Sequence, residues 1–105
     1  RTARREPRVA HRARLLDGLG RLLAVQVNVL AFARLRELFG FSSQSRALPR
    51  GATLATLWEQ LVAESPAAAA MRASTRFARN GVLAEDTTAL SEGDEIALMP
   101  PVGGG

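Results

Sequence analysis

The side chains of this sequence offer little chemistry of their own. It contains no cysteine, which excludes disulfides, thiolate metal sites and a cysteine nucleophile. The single histidine, His11, is too few for a histidine-based metal cluster, so no metal site is expected. All fourteen basic residues are arginine, and without lysine there is no side-chain amine to accept an isopeptide bond. Asp94 and Glu95 are adjacent where a turn enters a strand, so their side chains diverge; they read as a solvated turn, not an acid–base pair. The remaining group is the carboxylate of Gly105, at the end of Pro-Pro-Val-Gly-Gly-Gly over residues 100–105. Pro100 and Pro101 stiffen the chain as it leaves its last strand, and Val102 adds one apolar contact. Gly103, Gly104 and Gly105 have no Cβ and can thread a tunnel too narrow for any other residue. A carboxylate delivered in this way is within reach of a partner enzyme's nucleotide or nucleophile.

The elements that position this tail follow from periodicity. The chain has 105 residues, 47% of them apolar, enough for one small domain plus an appendage. The appendage is basic: residues 1–26 hold seven arginines against Glu6 and Asp17, while residues 27–105 hold seven against eight acids. With low hydroxyl content and no aromatic residue, residues 1–24 read as a disordered extension, not a transit peptide or a nucleic-acid contact. The domain spans residues 25–105. VQVNVLAF alternates as a strand, with Val25, Val27, Val29 and Ala31 on one face and Gln26, Asn28, Leu30 and Phe32 on the other. RLREL at 34–38 reads as a helical turn closed by Gly40, and residues 42–50 as a loop with a short edge strand.

Thr53 caps the main helix, whose stripe is Leu54, Leu57, Trp58, Leu61 and Val62. Ser65-Pro66 then caps and starts a short alanine-rich turn through Met71. Strands flank Asn80-Gly81, a pair suited to a type I′ turn, and EIALM forms the last strand before Pro100-Pro101. This order predicts an α+β roll, a mixed sheet with one main helix packed across it and a flexible Gly-Gly tail. Its uncovered sheet face is expected to be polar at one end and apolar at the other. Leu30, Phe32, Ala97 and Met99 would cluster there beside the tail as a partner interface.

VNVLAFARLREL, RNG and EGDEIALMPPVGGG, in this order over residues 27–105, are similar to the MoaD/ThiS sulfur carriers of the ubiquitin superfamily, most of all to the molybdopterin synthase small-subunit type. The resemblance implies a β-grasp fold and a carrier role in molybdenum cofactor biosynthesis. By that likeness the Gly105 carboxylate is adenylated by an E1-like activating enzyme using MgATP and converted to a thiocarboxylate. The tail then gives its sulfur to a cyclic pyranopterin precursor in the large subunit's active site. Gly104 and Gly105 match the family's Gly-Gly. Phe32, Leu83 and Met99 fall on its apolar contact surface, and Leu30, Pro100, Pro101, Val102 and Gly103 adjoin that surface. With no cysteine, any sulfur the chain handles must be carried by something other than its side chains, and the resemblance implies that this is the terminus. Gly103 departs from the serine or threonine common at this place, which loosens the tail.

The implied partners are a large subunit, usually in a heterotetramer, an activating enzyme and a sulfur donor protein. The resemblance also implies that the chain itself binds no cofactor and acts as a non-catalytic, sulfur-carrying subunit of a transferase complex. No membrane, no nucleic acid and a cytoplasmic location are expected. Three other functions remain open: a carrier for thiazole or cysteine synthesis, a modifier conjugated through Gly105, and an interaction module with an inert tail.

Overall fold

The computed structural model describes residues 23–101. Residues 1–22 and 102–105 lie outside the described residues, and with them the expected Gly-Gly tail and all of the expected 1–24 extension except Leu23 and Ala24, which lead into and begin the first strand. The first strand, β1 (Ala24–Ala31), follows the expected parity: Val25, Val27, Val29 and Ala31 are buried and Gln26 is exposed. RLREL belongs to a longer helix, α1 (Ala33–Phe39), which buries Leu35. It closes at Gly40, whose φ of 82° lets its amide donate to the Arg36 carbonyl at 2.9 Å.

Residues 42–50 are not mainly loop. They contain β2 (Ser43–Pro49), seven residues antiparallel to nearly the whole of β1. The strand is hard to see in the sequence because it lies at the sheet edge and buries just Leu48 fully, so ladder hydrogen bonds define it where apolar alternation does not. Arg46, opposite Val27, reaches across to the main helix and pairs with Glu64 at 2.6 Å and Gln60 at 3.1 Å. That hydrogen bond, with the charge of the guanidinium, holds the Glu64 carboxyl below its ordinary range.

The main helix, α2 (Leu54–Glu64), starts in a capping box. The Thr53 hydroxyl accepts from the Thr56 amide at 3.3 Å, and the Thr56 hydroxyl accepts from the Thr53 amide at 3.1 Å. Leu54, Leu57, Trp58 and Leu61 are buried and Val62 is partly buried. The expected turn through Met71 is a nine-residue 3₁₀ helix, Pro66–Ser74, packed on α1 and α2. Ser65 does not cap it with its side chain; its amide instead ends α2 on the Leu61 and Val62 carbonyls.

β3 (Arg76–Arg79) and β4 (Val82–Ala84) form a hairpin, with Asn80 and Gly81 at φ 50° and 84°. Both values are positive, as a type I′ turn requires. β5 (Glu95–Met99) completes a mixed sheet of order β2-β1-β5-β3-β4, in which β1 and β5 are parallel and the other pairs antiparallel. The helices α1 and α2 and the 3₁₀ helix lie over one face, where Trp58 meets Phe39 and Phe77 edge to face at 5.6 and 6.1 Å.

Asp94 corrects the sequence reading. It is 5% exposed, not part of a solvated turn. Its carboxylate accepts from Arg79 Nε at 2.7 Å, Asn80 Nδ2 at 2.9 Å and the Ser91 amide at 2.7 Å. Burial alone would raise its pKa, but these donors outweigh that and hold the carboxyl below its ordinary range. Glu95 stays exposed, so the two acids do diverge, with Asp94 tying the hairpin turn to the entry of β5.

Candidate functional site

The sheet face that none of the described helices covers carries the residues expected to bind a partner. Side chains opposite one another in a ladder share a face, so register decides who meets whom. Leu30 is opposite Ala97, Ala97 opposite Ala78, and Ala78 opposite Leu83. Four strands thus lay one apolar row across the face. One step toward the tail, Met99 sits opposite Arg76. In the other direction the face turns polar: Asn28 lies opposite both Ser45 and Glu95.

Phe32 and Leu83 are the large exposed members, at 45% and 63%, whereas Leu30, Ala97 and Met99 are partly buried. Phe32 follows Ala31, which pairs with Leu98 at the end of the parallel ladder. Its carbonyl accepts from the Leu35 and Arg36 amides at 3.0 and 3.3 Å, so the start of α1 fixes its backbone. Ala33 next to it has φ 50°, a left-handed conformation that costs a non-glycine residue about 1–2 kcal/mol.

Leu83, Met99, Pro100 and Pro101 come together around one groove of about 570 Å³, joined by Ala73, Ser74 and Arg76. Leu30 and Phe32 do not line it; they extend the apolar surface toward β1. Val102, Gly103, Gly104 and Gly105 lie outside the described residues, and Pro101 leads toward them from the groove. Sequence reasoning missed Arg76, Ser74 and Ala73. Nothing local marks them: Arg76 meets Met99 through the β3–β5 register, and Ala73 and Ser74 end the 3₁₀ helix that leads into β3. Among the described residues no group of three or more His, Cys, Asp or Glu is placed to hold a metal ion. No described helix is long and apolar enough to cross a membrane.

A five-stranded mixed sheet gripping one main helix, with its last strand running into a Pro-Pro stem, defines a ubiquitin-like β-grasp protein. The fold is similar to a ubiquitin from Caldiarchaeum subterraneum, with a TM-score of 0.54 and 17% identity over 78% of this chain and 99% of that one. It is also similar to the small archaeal modifier protein 1 of Haloferax volcanii, with a TM-score of 0.67 and 29% identity over 74% of this chain and 99% of that one. In sequence, the chain is 39% identical over 83 residues to the molybdopterin synthase sulfur carrier subunit of Chlamydomonas reinhardtii, spanning 77% of this chain and 100% of the relative. Residues 29–105 match the ThiS family, and the chain belongs to it.

Proposed function

We propose that this chain is the sulfur carrier of a molybdopterin synthase, with the Gly105 carboxylate as its working group. The observation that carries this is the apolar face ending in a groove from which the Pro100-Pro101 stem departs, in a ThiS-family chain similar to molybdopterin synthase carriers. Leu30, Phe32, Leu83 and Met99 dock a large subunit, and the stem aims Val102–Gly105 into its active site. An activating enzyme first adenylates the carboxylate with MgATP, the carboxylate oxygen bonding to the α-phosphorus as pyrophosphate leaves. A sulfur donor protein then supplies the sulfur that replaces one carboxylate oxygen, with AMP as leaving group. The thiocarboxylate delivers that sulfur to a pyranopterin precursor, toward the dithiolene that binds molybdenum. The chain supplies docking and reach, and its partners supply the catalytic groups.

Intact-mass analysis after incubation with activating enzyme, MgATP and sulfur donor tests this. Gain of one sulfur in place of one oxygen is expected, with loss of all transfer when Gly105 is deleted or amidated and no change in melting temperature. Full activity from the amidated protein would sink the mechanism.

Likeness to an archaeal modifier favours a second function, conjugation of Gly105 to lysines of other proteins. It uses the same activated terminus, and isopeptide-linked Gly-Gly remnants on target lysines would distinguish it.

A further inference from the structure

Arg76 stands at the tail-side margin of the apolar docking surface, opposite Met99 on β5 and lining the same groove as Leu83 and Pro101. It is exposed, and its guanidinium makes no hydrogen bond or ion pair among the described residues. This sets it apart from Arg34, Arg46, Arg72 and Arg79, which pair with Glu37, Glu64, Asp86 and Asp94. Glu85 and Asp86 line the adjoining hollow with Arg76, but Asp86 is held by Arg72 at 3.1 Å and Glu85 forms no ion pair with Arg76.

A partner that covers Leu83 and Met99 must also strip water from Arg76. An arginine desolvated without an acceptor costs several kcal/mol, a large part of what the neighbouring apolar contacts can return. A partner fitting this face must therefore present an acceptor there, and a carboxylate answers the charge as well as the hydrogen bonds. Arginine suits that pairing, because its planar fork binds a carboxylate through two parallel hydrogen bonds and its charge is weakly hydrated. We propose that Arg76 is a specificity-determining residue of the docking face, pairing with an Asp or Glu of the large subunit beside the point where the tail enters it. The inference rests on the docking role proposed above and names the chemistry by which the face selects its partner.

Calorimetric titration of the full chain with the large subunit of the same organism tests it, using wild type, Arg76→Glu, Arg76→Met and Phe32→Ala. Arg76→Glu is expected to weaken Kd by at least about 10-fold at low salt, with Arg76→Met in between. The difference between Arg76→Glu and wild type should shrink at 0.5 M salt, where charges are screened within a few Å. Melting temperatures should stay at the wild-type value, since Arg76 has no partner among the described residues to lose. Reversing one acidic residue of the large subunit to arginine should restore binding to Arg76→Glu. If Arg76→Glu and Arg76→Met bind within twofold of wild type while Phe32→Ala binds weakly, the assignment of Arg76 is wrong and the docking face stands. If Phe32→Ala also binds normally, the docking face itself is wrong and the inference falls with it.

Discussion

Truncating Phe32 and truncating Trp58 should damage different properties of this protein. Trp58 is 6% exposed, meets Phe39 and Phe77 edge to face, and lies under the Arg72 guanidinium at 6.0 Å. Trp58→Ala removes all of this and leaves a cavity, which costs about 3–5 kcal/mol. A domain of this size has a total stability of roughly 4–12 kcal/mol, so Tm should fall by at least about 12 °C. Phe32, at 45% exposure, keeps about half of its ring in water. Complete burial of phenylalanine stabilises by about 1.5–3 kcal/mol, so Phe32→Ala should cost about 1 kcal/mol and lower Tm by about 4–8 °C. As an interface anchor the same ring is expected to contribute about 2–4 kcal/mol of binding, roughly 30- to 1000-fold in affinity. Thermal melts paired with calorimetric titration against the large subunit separate the two effects. A Phe32→Ala protein that melts as early as Trp58→Ala, or binds as tightly as wild type, would refute the division of labour between the two faces.

A chain beginning at Leu23 should fold and transfer sulfur at close to the full-length rate. Leu23 keeps its carbonyl bond from the Arg50 amide at 2.9 Å, and the ThiS match begins at residue 29, so a severe loss of activity in a stable truncated protein would assign the basic arm a role. Stability should also decline in acid because of Asp94. Its folded pKa is depressed, so as pH falls the unfolded chain takes up the proton first; the contribution is fully present above the ordinary carboxylate pKa of about 4 and lost as pH drops through the folded value. Asp94→Asn should flatten that part of the pH–stability curve and destabilise the protein by about 2–4 kcal/mol at neutral pH, since Arg79 and the Ser91 amide lose a charged acceptor. An unchanged acid limb in Asp94→Asn urea titrations would show that another group governs it.

Much of this architecture is written in short-range patterns. Alternation from Val25 to Ala31 identified both the strand and its buried face, because a period of two needs no knowledge of the neighbours. The Thr53 cap, the stripe through Trp58 and the Asn80-Gly81 turn were legible for the same reason: each is decided by the backbone and side chains within a few residues. The likeness to the ThiS family, and with it Phe32, Leu83 and Met99, came from motifs in fixed order. Tertiary structure decided what depends on partners far along the chain. Ser43–Pro49 is a strand because β1 offers it a ladder, although its own residues are mostly polar. Asp94 is a buried clamp because residues 79 and 80, about fifteen positions earlier, bring donors to it. Arg76 adjoins Met99 through a register set by the whole β3–β5 pairing, which a shift of one residue would turn to the opposite face. Local sequence therefore determined which faces are apolar, and long-range pairing decided which charges stand among them.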